Sequence, residues 1–264
     1  MSDLQLLITL EKMLPAITDK TLARFFLNTT AQRKTDGSIV TEADTAMQLA
    51  LKKELYDISP QFNMLGEEMN VQQQLQVLND CSSYWCLDPV DGTNNFHHGV
   101  PLFAVSLALI KNCQLALGLV YDPVRKELFS AARGTGLRIN GHLSIKTEQP
   151  LALNRCLASI DFKRLNTPMK KRLIDTMPFK SQRNIGTCAL EWAWLAAGRT
   201  QLLLHGGEKF WDYAAGCLLL EESDGVSSTH NLEAVFNNSL DDRSIIAAST
   251  RSLYLLWSEF MIKD

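Results

Sequence analysis

The chain has 264 residues, of which 46% are hydrophobic and 21% are charged, and its formal net charge is −3. These values are typical of a globular protein whose core fills one large domain or two modest ones that share it. The chain has no general positive field with which to hold nucleic acid or anionic lipid, so we expect no nucleic-acid partner. Any phosphate site must be built locally, from backbone amides or a metal ion.

Membrane insertion and secretion are not expected. No segment has the roughly 18 consecutive apolar residues of a membrane helix, and residues 1–16 have the periodicity of an amphipathic helix rather than a signal peptide. The six cysteines are scattered, with no CxxC pair, as is typical of reduced thiols in a cytoplasmic protein. We therefore expect a cytoplasmic location.

The first half of the chain, residues 1–147, is predicted to combine an antiparallel sheet with helices on one side. Thr41 and Asp44 have the spacing of a capping box at a helix start, and Asn140-Gly141 marks a hairpin turn between two short strands. The predicted helices are 3–13, 19–28 and 42–57, with a helix or loop at 71–78. The predicted strands are 62–65, 84–87 (ending before Asp88), 104–111, 115–121 and 128–132.

The second half, residues 148–264, is predicted to alternate strands and helices, which is typical of an α/β unit. The boundary is placed at the polar stretch 148–154, which carries Pro150. The predicted strands are 156–160, 183–185, 201–205 and 244–248, and the predicted helices are 168–177, 189–197, 213–222 and 252–262.

Three separated segments carry acids at the ends of predicted apolar elements: Glu67 and Glu68, Asp88 and Asp91, and Asp212. A single acid in such a place is commonly a cap or a turn residue. Asp88 and Asp91, however, flank Pro89, and two crowded carboxylates repel each other unless a cation or a proton lies between them. Magnesium prefers such oxygen ligands, and the stiff turn at Pro89 could direct the Val90 carbonyl to the same side. We therefore predict a magnesium site here.

The next two residues predict an anion site. Gly92 allows close backbone approach, and Thr93 is a favourable residue at a helix start. The first amides of a helix have no partner within the helix and bind anions readily. Metal ligands beside an anion site suit a phosphate ester.

The stretch WCLDPVDGTNNFHHGVP, from Trp85 to Pro101, resembles the signature of the inositol monophosphatase family, and WDYAAGCLLLEESDGV, from Trp211 to Val226, resembles its second signature. The segments MLGEE, DGSIVTEAD and NGH match further family segments in the same order. The resemblance implies a layered αβαβα sandwich and a lithium-sensitive phosphomonoesterase that uses two or three magnesium ions. It also implies a homodimer and a small phosphorylated substrate, attacked by water without a phosphoenzyme.

The resemblance implies a role for each matching residue. The implied metal ligands are Glu67, Asp88, the Val90 carbonyl, Asp91 and Asp212. Glu67 and Thr93 would hold the attacking water, with Asp44 behind Thr93, and the amides of Gly92 and Thr93 would bind the phosphate. The implied substrate contacts include Asp91, Gly186 and Thr187, and Lys34 lies near the position of the family's mobile-loop lysine.

His205 departs from the family pattern, because inositol-cleaving members carry a glutamate at this position, seven residues before the last metal aspartate. His205 therefore either contacts a substrate other than myo-inositol phosphate or is a satisfied histidine at a strand end. The alternatives on the same fold are a 3'(2'),5'-bisphosphate nucleotidase, a fructose-1,6-bisphosphatase and a histidinol-phosphatase. A further alternative is a regulatory or RNA-linked partner protein with secondary catalysis.

Overall fold

The structure is a computed structural model that describes residues 2–25, 30–33, 39–80, 82–149 and 151–262. Its helices are α1 (Asp3–Leu22), α2 (Glu42–Ile58), α3 (Val71–Asp80), α4 (Thr93–His97), α5 (Thr167–Thr176), α6 (Cys188–Ala196), α7 (Phe210–Glu221) and α8 (Arg251–Ile262). Its strands are β1 (Ala31–Arg33), β2 (Ile39–Thr41), β3 (Asn63–Gly66), β4 (Tyr84–Asp91), β5 (Ala104–Lys111), β6 (Gln114–Asp122), β7 (Glu127–Ala132), β8 (Arg138–Ile139), β9 (His142–Leu143), β10 (Leu157–Ile160), β11 (Ser181–Arg183), β12 (Leu202–Glu208), β13 (Val226–Ser228) and β14 (Arg243–Ala248).

These elements form five layers, which is the αβαβα sandwich expected from the sequence. A seven-stranded sheet has the order β3-β4-β5-β6-β7-β8-β9, and a five-stranded sheet has the order β11-β10-β12-β14-β13. Helices α1 and α2 cover the outer face of the large sheet, while α8 packs on the outer side of the small sheet. Helices α6 and α7 lie between the two sheets. None of the helices in the described ranges is long and apolar enough to cross a bilayer.

The middle layer explains the composition of α6 and α7. A helix with sheets on both sides has no solvent face, so its surface is apolar all round, and nearly every residue of both helices is buried. Two glycines allow the close approach that this requires. A Cβ on Gly216 would lie 2.3 Å from the Cβ of Trp192 on α6, and a Cβ on Gly118 of β6 would lie 2.7 Å from the Ala215 carbonyl.

The observed elements differ from the predicted ones in several places. Helix α1 is continuous through Pro15, because buried leucines recur on one face as far as Leu22. Strand β4 does not stop before Asp88, because Asp88 and Asp91 still pair with β5 on either side of a bulge. Short strands β1, β2 and β13 were not predicted. The part of the predicted 19–28 helix at residues 26–28 lies outside the described residues.

The division of the chain at residue 148 stays a prediction. The core between the two sheets takes side chains from both halves, including Phe129 and Ala131 from the large sheet and Leu203 and Ala247 from the small one. Because both halves share this core, we expect them to unfold together rather than as separate units.

Candidate active site

The carboxyl ends of β3 and β4 form one corner of the site. The two strands are parallel, with Gly66 opposite Leu87, so the residues that follow those positions, Glu67 and Asp88, emerge at the same edge of the sheet. The Glu67 amide donates to the Leu87 carbonyl at 3.1 Å. Within the bulge of β4, the Val90 amide donates to Oδ1 of Asp88 at 3.0 Å. The turn therefore orients the carboxylate through Oδ1, and Oδ2 takes no part in this hydrogen bond.

Helix α7 brings a third carboxylate to this corner. Asp212 lies in the first turn of α7, and its Oδ2 accepts a hydrogen bond from the Lys209 amide at 3.0 Å. The start of this helix is tied to the large sheet by Ser106, whose hydroxyl donates to the Trp211 carbonyl at 3.0 Å. As a result Asp88, Asp91 and Asp212 each offer an oxygen within 4.8 Å of the others.

The three carboxylates are destabilised as anions. Burial, together with repulsion from Glu67 and Asp91, raises the pKa of Asp88 well above its usual value. Burial and repulsion from Asp91 do the same for the pKa of Asp212. Burial raises the pKa of Asp91 to about 6 despite its hydrogen bonds from Thr187 and Ala189. A bound cation would reverse each of these effects by stabilising the ionised form.

The donor set fits magnesium. Its members are hard oxygen atoms, with the Val90 carbonyl also on the wall of the cleft, and magnesium prefers such ligands. Among the described residues, none of the three aspartates forms an ion pair with a lysine or arginine. When the three are ionised, their charge is therefore not balanced by an ion pair within that part of the chain.

Thr93 and Asp44 form a hydrogen-bonded support behind the carboxylates. The Thr93 hydroxyl lies 3.1 Å from Oδ1 of Asp44 and 3.0 Å from the Val90 carbonyl. Asp44 is fully buried, and its Oδ2 accepts hydrogen bonds from the amide and the hydroxyl of Thr41 at 2.8 and 2.5 Å. Burial raises the pKa of Asp44 in spite of these bonds. The predicted capping box is therefore present, and it also fixes a carboxylate against Thr93.

Gly92 and the turn at residues 185–187 form the opposite wall. Gly92 has φ of 87° at the start of α4, and a Cβ there would lie 3.0 Å from the Leu102 carbonyl. Any other residue would therefore be strained both by its backbone conformation and by this close contact. The side-chain amide of Asn95 donates to the Ile185 carbonyl at 2.7 Å. The Thr187 hydroxyl donates to Oδ2 of Asp91. These bonds join the two halves of the chain around the site.

Between these walls lies a cleft of about 210 Å³, room for roughly seven waters at about 30 Å³ each. Two cationic side chains that sequence reasoning missed also line it. Arg164 is exposed and donates to the Gly207 carbonyl at 2.7 Å. Its charge lowers the pKa values of Asp161 and Asp212, but among the described residues it forms no direct ion pair. Lys209 lies 2.7 Å from Asp242. The lining residues are Ile39, Glu67, Asp88, Val90, Asp91, Gly92, Thr93, Asn94, Arg164, Gly186, Cys188, Lys209, Trp211 and Asp212.

Two candidate substrate contacts, Thr187 and His205, do not line the cleft. Thr187 is buried behind it, where it binds Asp91. His205 is 2% exposed, and its Nε2 lies 3.0 Å from Oδ2 of Asp161. Because the ring is buried and each of its nitrogens has a partner within the protein, the geometry favours the satisfied histidine over the substrate contact. Lys34 lies outside the described residues.

The comparison with protein families decides the classification. The model of the inositol monophosphatase family matches residues 6–259. The chain belongs to the inositol monophosphatase family. Among curated relatives, it is 34% identical over 196 residues to inositol monophosphatase 1 of Solanum lycopersicum, covering 71% of each chain. It is 33% identical over 225 residues to Nus factor SuhB of Pseudomonas aeruginosa, covering 80% of this chain and 79% of the relative.

Solved structures of the family share the fold. One neighbour, an IMPase/NADP phosphatase complexed with Mg²⁺ and phosphate, has a TM-score of 0.87 at 22% identity and covers 100% of this chain and 97% of that one. The layered fold and the family membership identify the chain as a phosphomonoesterase of the metal-dependent inositol monophosphatase type. The predicted family resemblance and fold are thereby confirmed.

Proposed function

We propose that the chain hydrolyses a small phosphate monoester, an inositol monophosphate or a related polyol or sugar phosphate, in a magnesium-dependent reaction. The observation that carries the proposal is the group of three carboxylates, Asp88, Asp91 and Asp212, within 4.8 Å of one another beside the glycine turn at Gly92. A cation site next to unpaired helix amides is complementary to a phosphate group.

Each part of the cleft has a proposed task. Asp88, Asp91, Asp212, Glu67 and the Val90 carbonyl would hold two or three magnesium ions. When bound, magnesium supplies charge neutralisation for the phosphoryl group and lowers the pKa of water. The amides of Gly92 and Thr93 bind phosphate oxygens, and Asp91 and the turn at Gly186 face the alcohol part of the ester, where Thr187 fixes the Asp91 carboxylate.

Thr93 and Glu67 position the attacking water. The Thr93 hydroxyl has a single proton, which it donates to Asp44 or to the Val90 carbonyl. Its lone pair is then available to accept a hydrogen bond from the water, and Glu67 can accept the second. Attack in line with the leaving oxygen requires no phosphoenzyme.

The test is a phosphate-release assay of the purified chain with magnesium, each substrate run with and without lithium. The substrates are inositol monophosphates, glycerol 2-phosphate, fructose 1,6-bisphosphate, adenosine 3',5'-bisphosphate and histidinol phosphate. We expect magnesium-dependent release that lithium suppresses. A folded, magnesium-binding chain that releases phosphate from none of them would contradict the proposal.

A second candidate, a substrate with a second phosphate, is favoured by Arg164. Its exposed guanidinium lines the cleft and forms no direct ion pair within the described residues, and an arginine binds phosphate well. This candidate corresponds to a bisphosphate nucleotidase or a fructose-1,6-bisphosphatase. No comparable observation favours a histidinol-phosphatase or a regulatory, RNA-linked role, and the net charge of −3 argues against nucleic-acid binding.

We also propose, from the family resemblance alone, that the chain is a homodimer in the cytoplasm. Light scattering on the eluting peak of a sizing column measures the mass directly. A mass of one chain, 29.6 kDa, at micromolar concentration would contradict the dimer.

A further inference from the structure

A second group of potential ligands lies against the cleft wall. Cys188 is the first residue of α6 and lines the cleft, while His205 and Glu208 lie near the end of β12 and are 2% and 0% exposed. Each offers one ligand atom, and the three atoms lie within 4.8 Å of one another. We call these residues the Cys-His-Glu cluster. It differs from the three aspartates in offering sulfur and nitrogen as well as oxygen.

The surroundings of His205 fix its tautomer. Nδ1 accepts a hydrogen bond from the Gly207 amide at 3.2 Å, so this atom carries a lone pair. The proton is then on Nε2, which donates to Oδ2 of Asp161 at 3.0 Å. A histidine that binds a metal commonly donates its other ring N–H to a carboxylate, which orients the ring and strengthens the ligand. His205 has that arrangement.

The carboxylate of Glu208 is also held in place by a hydrogen bond. Its Oε2 accepts a hydrogen bond from Nε1 of Trp192 at 2.7 Å, whereas its Oε1 is buried and has no hydrogen-bond partner among the described residues. Oε1 lies 3.9 Å from Nδ1 of His205. A buried carboxylate oxygen without a partner is costly, and here it faces two further potential ligands.

We propose that Cys188 Sγ, His205 Nδ1 and Glu208 Oε1 form a binding site for one zinc-class divalent cation, separate from the magnesium ligands. Thiolate, imidazole and carboxylate are the ligands of zinc, and a thiolate selects against magnesium. Three protein ligands leave a fourth position open. The Cys188 thiol gives its proton to water when it binds the ion.

The distances require a modest contraction. Zinc bond lengths of about 2.0–2.3 Å in a tetrahedron place neighbouring donor atoms about 3.3–3.6 Å apart. The observed separation is 3.9 Å between His205 and Glu208, and the pairs with Cys188 lie within 4.8 Å. The Gly207 amide must also release Nδ1 of His205. Gly206 and Gly207 lie in the register shift between His205 and Glu208, so the backbone that must move is a pair of glycines outside the regular ladder, which are conformationally permissive.

An ion in this site would act on the neighbouring reaction. Cys188 and Asp212 line the same cleft, so a second dication beside the aspartates opposes magnesium binding through like-charge repulsion. We expect inhibition by zinc in the presence of excess magnesium. This consequence rests on the proposed function, whereas the cation site itself does not.

The test titrates Co²⁺ into the full-length reduced chain in excess magnesium and follows the charge-transfer absorption of a cobalt–thiolate bond. An oxygen-only site gives no such band, so the readout reports the Cys-His-Glu cluster and not the aspartates. We expect one equivalent of Co²⁺ to produce the band and Zn²⁺ to abolish it. We expect Cys188→Ser to lack the band, and Cys113→Ser, which removes an exposed thiol, to keep it.

A second variant controls for misfolding of Cys188→Ser. Glu208→Gln keeps the side-chain volume and an acceptor for Trp192 but removes the anionic ligand, and we expect it to weaken Co²⁺ binding at least tenfold while the far-UV circular dichroism stays unchanged. The proposal is overturned if the wild-type chain shows no thiolate band. It is equally overturned if the band persists in a folded Cys188→Ser chain or disappears only in Cys113→Ser.

Discussion

Replacing Asp88 by Asn separates the destabilisation of the fold by the carboxylate cluster from the contribution of the cluster to magnesium binding and turnover. Asn keeps an Oδ1 that can accept the Val90 amide, so the bulge of β4 should survive. The three aspartate oxygens lie within 4.8 Å of one another, where two ionised groups repel by about 3 kcal/mol at an effective dielectric constant of about 20. A proton on Asp88, whose pKa is raised, relieves part of that repulsion. Without magnesium, D88N should therefore be more stable than the wild type by up to about 3 kcal/mol, or several degrees in Tm.

Magnesium should reverse the order of stability. A ligand at about 100 times its Kd stabilises the folded wild type by about 2.7 kcal/mol, whereas D88N lacks a ligand and should show little shift. Losing about 3 kcal/mol of charge neutralisation in the transition state lowers turnover about a hundredfold or more. Differential scanning calorimetry with and without magnesium measures both melts, and phosphate release measures turnover.

The matched control is Asp175→Asn, which removes a negative charge from the exposed face of α5, where Asp175 pairs with Lys171. It should alter neither the magnesium shift nor turnover. The reasoning is refuted if D88N melts below the wild type without magnesium and still shows the full magnesium shift. Near-normal turnover of D88N at saturating magnesium would contradict the ligand assignment as well.

The remaining predictions concern the walls of the cleft and the core. Burial raises the pKa of Glu191 to about 8 from 4.5, so the fold retains a proton that the unfolded chain releases. Stability should then fall as pH rises between these values, and urea melts of Glu191→Gln should lack that slope. Arg164→Ala should raise KM about tenfold for a bisphosphate but little for glycerol 2-phosphate, with the neighbouring Lys163→Ala as control. A Cβ on Gly206 would lie 1.8 Å from the Arg164 carbonyl, so urea melts should show Gly206→Ala destabilised by about 2 kcal/mol or more and Gly207→Ala much less.

The parts of the site that sequence could predict are local. Asp88, Val90, Asp91, Gly92 and Thr93 are consecutive or nearly so, and the bulge and left-handed turn that position them depend on Pro89 and Gly92 themselves. Local chemistry also predicts the Thr41–Asp44 capping box. Such features can be read from a short window because the residues that cause them lie inside it.

The contacts that close the site lie far apart in the sequence. Thr187 binds Asp91 across 96 residues, and Asn95 reaches Ile185 across 90. No spacing or periodicity encodes such a pair. His205 shows the same limit, because its match to a substrate-contact position of the family suggested a substrate contact, whereas Asp161, 44 residues earlier, holds its ring. The adjacent glycines were a sequence signal that another segment packs closely here, because position 206 must be glycine where the turn carrying Arg164 crosses β12.

The middle helical layer, α6 and α7, brings the site residues of the two halves of the chain together. The first half of the chain supplies Asp88, Asp91 and the glycine turn, while the second supplies Asp212 from α7 and the Asp91 contacts from the start of α6. Both helices begin at the cleft, and at each start an amide without a partner inside the helix donates to an aspartate: the Lys209 amide to Asp212 and the Ala189 amide to Asp91. Helix starts favour carboxylates, which offsets part of the repulsion in the cluster. The same packing that buries α6 and α7 therefore holds three acids together before any cation is bound.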